Sequence, residues 1–211
     1  MRKVLVVSPH PDDESIGCGG TLQKHLSEGD RVQIIFLTSG EMGAKNISPQ
    51  KLMRIREREA ARVAKRSGFH AIEFWREPDG ALKARPGLIR RLREKFITYC
   101  PEIVYVTHES EMHADHKTAA KIVRQVLKKK AGLKKIPEVF CFEVWTPIQK
   151  IDHIVDISKF IKKKIAAIRA YKSQCKLMRF DQAFLGLSRY RGEMHSWPGG
   201  DYAEVFTEMQ I

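Results

Sequence analysis

The sequence predicts an α/β fold, a mostly parallel, doubly wound sheet with helices on both faces. Three observations carry that expectation. Apolar runs at 4–7, 32–37 and 103–106 have the length of buried strands. Segments with helical spacing separate the runs, the alternation expected of parallel βαβ units. Two polar clusters, Ser8-Pro9-His10-Pro11-Asp12-Asp13-Glu14 and His113-Ala114-Asp115-His116, follow two of the runs. In an open α/β sheet, ligand sites lie outside the carboxyl ends of the strands.

The elements read in order as follows. Residues 4–8 form a buried strand and 17–28 the helix behind it. Residues 32–38 form a second strand, closed by Ser39-Gly40, and a loop runs on to Pro49. Leu52, Ile55, Ala60, Val63 and Ala64 give 50–67 a helical stripe that Gly68 stops. A strand at 71–75 precedes the turn Pro78-Asp79-Gly80, and 88–99 is an amphipathic helix ending before Pro101. Residues 103–107 make the next strand, followed by a helix from about 116 to 130 that ends near Gly132. Later strands are expected at 139–144 and 151–157, with Ser158 as N-cap of a helix through Tyr171. A helix at 177–187 and a short strand at 202–207 complete the chain, read as a single domain over 1–211 with no repeat or linker.

Composition narrows the function classes. A hydrophobic fraction of 43% with 30% charged residues is that of a globular protein. Nothing approaches the ~18 consecutive apolar residues of a membrane span. Met1-Arg2-Lys3 leads into an apolar run too short for a signal-peptide core. Cys18, Cys100, Cys141 and Cys175 contain no Cys-x-x-Cys pair, so a reduced, cytoplasmic protein with packing cysteines is expected, without a zinc–thiolate site. The net charge of +13 admits nucleic acid, a membrane surface or an anionic substrate. The lysine runs at 128–130, 134–135 and 162–164 lack interleaved aromatics, however, and read better as solvated faces than as a nucleic-acid site. A homo-oligomer stays open. Gly17, Gly19 and Gly20 fail the dinucleotide fingerprint, because the strand runs into His-Pro-Asp-Asp-Glu and the spacing is wrong; a tight turn allowing close backbone approach is expected there.

The clusters carry the chemistry. His10 and Asp13, three residues apart on a turn, can aim at one point, and His116 arrives from a second strand end. Two imidazoles and a carboxylate suit Zn²⁺ with a position left open, and do not exclude Fe²⁺, Co²⁺ or Ni²⁺. Such a metal acidifies its water and polarises a carbonyl. Asp12 is then placed to act as general base, and His113, one helical turn before His116, to stabilise an oxyanion or donate a proton. Asp115 would fix the tautomer or charge of His113, and Glu14 would orient a ligand. Taken singly, His-x-x-Asp is often a cap or surface pair and His-x-x-His is often solvated. His25, His70, His108, His153 and His195 lack such company, although His108 and His195 are candidates for the pocket's vicinity.

Together these residues resemble the PIG-L/LmbE-like family of zinc-dependent de-N-acetylases. Ser8 to Glu14 matches its first motif and His113 to His116 its His-x-Asp-His motif. Thr38-Ser39-Gly40-Glu41, Arg56 with Glu59, Pro78-Asp79-Gly80, Ser173-Gln174, Arg191-Gly192 and Ala203-Glu204-Val205-Phe206 follow in the family's order. The resemblance implies a Rossmann-like sheet and hydrolysis of a linear carbon–nitrogen amide, typically the acetamide of N-acetylglucosamine or a conjugate. Another amide, such as a thiol-sugar conjugate or an N-acylated glycan, is the alternative. By position it implies His10, Asp13 and His116 as zinc ligands, Asp12 as base, His113 as transition-state stabiliser, and Arg56 and Asp79 as sugar contacts. From residue chemistry alone Arg56 equally suits a solvated helix face, and Asp79 an ordinary turn. Many members carry a histidine just before the Ser-Gln pair, where this chain has Tyr171-Lys172. The loops 42–49 and 189–201, the second containing Trp197, are the candidates for specificity.

Overall fold

A computed structural model describes residues 1–129, 132–195 and 200–210. Seven strands, β1 Lys3–Ser8, β2 Arg31–Thr38, β3 Ala71–Glu77, β4 Ile103–Thr107, β5 Glu138–Phe142, β6 His153–Asp156 and β7 Ala203–Glu208, form one sheet. Their order is β3-β2-β1-β4-β5-β7-β6. The first five are parallel, whereas β7 runs antiparallel to both β5 and β6 at one edge. The helices are α1 Asp13–Ser27, α2 Pro49–Ser67, α3 Pro86–Tyr99, α4 Ala114–Lys128, α5 Ile161–Ala170, the short α6 Lys172–Cys175 and α7 Phe180–His195. None among the described residues is long and apolar enough to cross a membrane.

Strand alternation builds the core in two layers. Val4 and Val6 of β1, with Ile34 and Tyr105, pack under α1, α2, α5 and α7, while Leu5 and Val7, with Ile35, Val104 and Val106, pack against α3 and α4. From β1 the chain winds outward through β2 and β3, then crosses back to β4 on β1's other side. The strand order therefore reverses between β1 and β4, and the crevice beyond their carboxyl ends receives both polar clusters.

Several expected boundaries move for identifiable reasons. Helix α1 begins at Asp13, because the Asp12 carbonyl already accepts the N–H groups of Ser15 and Ile16. Gly17, Gly19 and Gly20 are consequently helical and make no turn. A Cβ on Gly17 would stand 2.0 Å from Phe142 Cδ2, and one on Gly20 2.7 Å from Ile157 Cβ. The glycines let α1 settle closely on β5 and on the segment after β6. Ser158 does not cap α5, whose N-cap is Phe160; its hydroxyl donates to Asp156 Oδ1 and accepts from the Tyr202 N–H. Helix α7 takes up residues through His195 that were expected to belong to a loop, and Trp197 lies outside the described residues.

Candidate metal centre

Two tight connections bring the clusters together. The β1–α1 turn carries His10, Asp12 and Asp13, and the β4–α4 connection carries Glu111, His113, Asp115 and His116. Asp12 has φ 127°, ψ −29°, a backbone conformation that few side-chain-bearing residues adopt. Glu14 Oε2 accepts its N–H at 3.0 Å, and Arg56 donates to the preceding Pro11 carbonyl. Tyr171, fully buried, donates through its hydroxyl to Glu14 Oε1 at 2.6 Å. The tyrosine found in place of the usual histidine thus supports the turn from behind, and Glu14 steadies Asp12 rather than a metal ligand.

His10 Nδ1, Asp13 Oδ2 and His116 Nε2 form a nearly equilateral triangle with sides of 3.1, 3.2 and 3.3 Å. Bonds of about 2.0–2.1 Å to a tetrahedral ion require ligand atoms about 3.3 Å apart. The triangle therefore fits a zinc-sized cation, and its N,N,O donor set is borderline-soft, as Zn²⁺ or Fe²⁺ prefers. One ligand atom of His113 also lies within 4.8 Å of His10 and His116. Its Nδ1, however, already accepts the Asp115 N–H as the N-cap of α4, so the tighter triangle is the better ligand set.

The outer contacts differ from the sequence expectation. The carboxylate of Asp115 is not on His113. It accepts the Gly80 and Leu82 N–H groups at 2.7 and 3.1 Å and approaches His10 Nε2 at 3.3 Å. Asp79 Oδ1 reaches the same nitrogen at 3.0 Å, while its Oδ2 accepts the Met42 N–H. Two carboxylates thus grip the far nitrogen of His10, an arrangement that orients a ligating ring. Behind His116, the otherwise unpartnered Nδ1 faces Glu111 Oε2 at 3.9 Å. Glu111 is itself fixed by the N–H groups of Val144, Trp145 and Thr146. Nothing in its spacing had distinguished it from a surface acid.

These neighbours set the charges. Although burial opposes it, Asp13 and Glu111 hold His116 up at about 9. Asp115, Asp13 and Asp79 likewise overcome burial to raise His10, and His116 and His10 hold the Asp13 carboxylate well below its usual range. His113 moves the other way: burial, with the positive His10 and His116 beside it, favours the neutral ring. Burial pushes Asp12 up to about 7, with Arg56 restraining the rise and Asp13 and Glu14 adding to it.

Arg56 is buried, not solvated, and donates to the Gly40 and Pro11 carbonyls and to Asp12 Oδ1. A Cβ on Gly40 or Gly43 would stand 2.2 or 2.8 Å from its Nη1, which is why the loop after β2 carries glycine there. Glu59, one turn further along α2, accepts the Ser173 N–H and hydroxyl and pins α6, which presents Gln174 to the site. His108 Nε2 lies 2.7 Å from the Thr146 carbonyl, bracing the loop behind the centre. His195 sits beside Arg191 and does not line the cavity. The cavity above the triangle measures about 330 Å³, with His10, Asp12, Asp13, Arg56, Asp79 and His113 among its walls.

The chain is similar to several known proteins. Over 196 residues the chain is 30% identical to the diacetylchitobiose deacetylase of Thermococcus kodakarensis, covering 82% of this chain and 70% of that protein. It is 28% identical over 194 residues to the 4-oxalmesaconate hydratase of Pseudomonas putida, covering 82% and 74%. Among solved structures, a conserved protein from Thermus thermophilus, TT1542, superimposes with a TM-score of 0.84 at 33% identity, covering 98% and 94% of the two chains. The family model described as PIG-L, GlcNAc-PI de-N-acetylase, matches residues 5–127, a span holding both clusters, Arg56 and Asp79, and on that match the chain belongs to the PIG-L family.

Proposed function

We propose that this protein is a metal-dependent hydrolase that removes the acetyl group from an N-acetylated amino sugar, N-acetylglucosamine or a conjugate of it. The observation that carries the reading is the His10–Asp13–His116 triangle, with Asp12 and His113 in the walls of the same cavity. The deacetylase named among the relatives supports the acetamide as the scissile group. Zn²⁺ fits the donor set, and when bound it supplies Lewis acidity and an acidified water.

The remaining roles belong to the chain's own residues. Asp12, raised to about 7 by burial, can take a proton near neutrality and return it to the leaving amine. His113 stays neutral, and because its Nδ1 accepts the Asp115 N–H, the ring proton resides on Nε2. It is thus a neutral hydrogen-bond donor for the oxyanion that develops on the attacked carbonyl. Asp115 and Asp79 act by holding His10. Arg56 acts first on Asp12, with any contact to the sugar secondary. One relative is named a 4-oxalmesaconate hydratase, and an oxalmesaconate is an organic anion. Among the described residues lining this cavity, Arg56 is the single permanent cation, and three oxygens already engage it.

The test is acetate release from a panel of N-acetylglucosamine derivatives by zinc-loaded, chelated and Asp12→Asn protein. Release that needs both the metal and Asp12 is expected. No release from any derivative, with metal stoichiometrically bound, would overturn the reading.

A further inference from the structure

We propose that the groove between α2 and the edge strand β3 is a track for single-stranded nucleic acid, separate from the metal centre. Lys51, Arg54, Arg58, Arg62 and Lys65 follow one another along α2 at spacings of three or four residues, and Arg66 comes directly after. That spacing puts them on one face of the helix, over a length of about 22 Å. All six are exposed, and among the described residues none forms an ion pair with a carboxylate. The two acids of α2 are engaged elsewhere. Glu59 accepts from Ser173, and Glu57 accepts from Ser39 and from Arg76.

Beside this face runs a groove of about 820 Å³, into which Lys51, Arg54 and Arg58 project with Ser48, Gln50 and Phe74. Glu57 is the one acid among its described lining residues, and Arg76 offsets its charge. Phe74 enters from β3, its ring stacked on Phe36 with centroids 5.2 Å apart and planes 15° from parallel. Because β3 is an edge strand, no further strand closes the outer side, and a trough open along its flank admits a polymer. The cations and the aromatic ring come from separate elements, so the sequence shows no interleaved pattern. Packing alone puts them side by side.

Charge and shape select the partner. A row of cations without counter-charges binds a polyanion by releasing its condensed counterions. Four of the six are arginines, whose planar fork matches the oxygens of a phosphate. An aromatic ring beside such a row offers a platform to an unpaired base, the combination used by single-strand binders. A duplex keeps its bases stacked inside and would leave Phe74 unused. A helix that lies in a membrane surface turns an apolar face outward, but Leu52, Ala60, Val63 and Ala64 of α2 are buried on the sheet. A second copy of this chain, at a net charge of +13, would be repelled.

The test is fluorescence anisotropy of a labelled oligothymidylate of about 12 nucleotides with the full chain, from about 50 to 200 mM salt. If all six cations meet phosphates, log K is expected to fall with log salt at a slope of about −4. Arg54→Glu/Arg58→Glu should weaken binding by at least about tenfold, and the milder Arg54→Gln/Arg58→Gln should fall between it and wild type. Lys128→Glu/Lys129→Glu, on α4 across the sheet, removes the same charge and should leave affinity within about twofold. Phe74→Leu should weaken oligothymidylate about tenfold without changing the affinity for inorganic polyphosphate. Thermal melts confirm that each variant is folded. No binding at about 50 mM salt would overturn the track, as would equal losses in the α2 and α4 variants, which would mean attraction by net charge alone. Polyphosphate, duplex or phosphatidylserine vesicles bound more tightly than oligothymidylate, or a Phe74→Leu variant without effect, would overturn it too.

Discussion

Arg56 donates through Nη2 to Asp12 Oδ1 at 2.9 Å, and both residues are buried. The pair links the middle of α2 to the residue that would move the proton, so its chemistry and its stability are coupled.

Replacing Arg56 by Met removes the counter-charge of buried Asp12, and at alkaline pH, where Asp12 is ionised, the unpaired carboxylate costs about 3–5 kcal/mol. Arg56 stabilises the ionised form of Asp12, so its removal raises the Asp12 pKa above about 7. The acid limb of the kcat/KM profile then moves to higher pH. Chemical denaturation and a pH–rate profile read the two effects separately. An acid limb that stays in place would separate Arg56 from the base.

Metal uptake should release protons. In the absence of metal, carboxylates hold His116 at about 9 and His10 well above the ordinary histidine range, so the cluster is protonated at neutral pH. Ligating imidazoles must be neutral, so Zn²⁺ binding at pH 7.5 is expected to release about one to two protons. With free zinc at a thousand times Kd, the fold gains about 4 kcal/mol. Indicator-dye titration and thermal melts check both, and His116→Gln should abolish them together. Binding without proton release would contradict the charge assignment.

Gly17→Ala tests the packing of α1. The new methyl would lie 2.0 Å from the Phe142 ring, in a core without slack. Overpacking of this kind costs about 1–3 kcal/mol, despite alanine's better helix propensity. Gly29→Ala meets no neighbour within 4 Å but must hold φ +82°, so its cost should come from backbone strain alone. Equal stability of Gly17→Ala and wild type in urea would show that α1 can shift.

His25 predicts a pH dependence away from the metal. Its Nδ1 lies 2.8 Å from Asp30 Oδ2 and its Nε2 2.9 Å from the Tyr105 hydroxyl, contacts that a neutral ring satisfies together. Burial lowers its pKa, Asp30 opposes that, and Arg2 adds to it. The unfolded chain therefore binds the proton more readily than the folded one. This contribution is fully present above the ordinary value of 6.5 and is lost as pH falls through the lower folded value. In melts of metal-stripped protein, the stability gap between wild type and His25→Gln should narrow from pH 7.5 to pH 5. A constant gap would mean that the folded and unfolded chains bind the His25 proton equally.

Much of the site was legible because its information is local. The His10–Asp13–His116 triangle follows from residues three apart on one turn and from a helix start behind another strand, and both strands declare themselves as apolar runs. The carboxylates on His10 were harder. Asp79 reads as turn chemistry and Asp115 as a partner of its neighbour His113, until the β3–α3 loop packs on α4 and places Gly80 and Leu82 on Asp115. Glu111 and Tyr171 carried no spacing signal at all, because each acts across the fold: Tyr171 reaches a partner 157 residues away.

What the sequence determined by itself was the alternating, mostly parallel α/β class, the two strand ends at which chemistry is possible, and the residue types that meet there. Periodicity and short-range spacing encode these directly. Only the tertiary structure decided that Asp115 serves His10, that Arg56 is engaged by Asp12, and that the α1 glycines admit Phe142 and Ile157. Each depends on which surfaces meet when helices and loops pack, and packing contacts between residues distant in the chain leave no periodic trace in it.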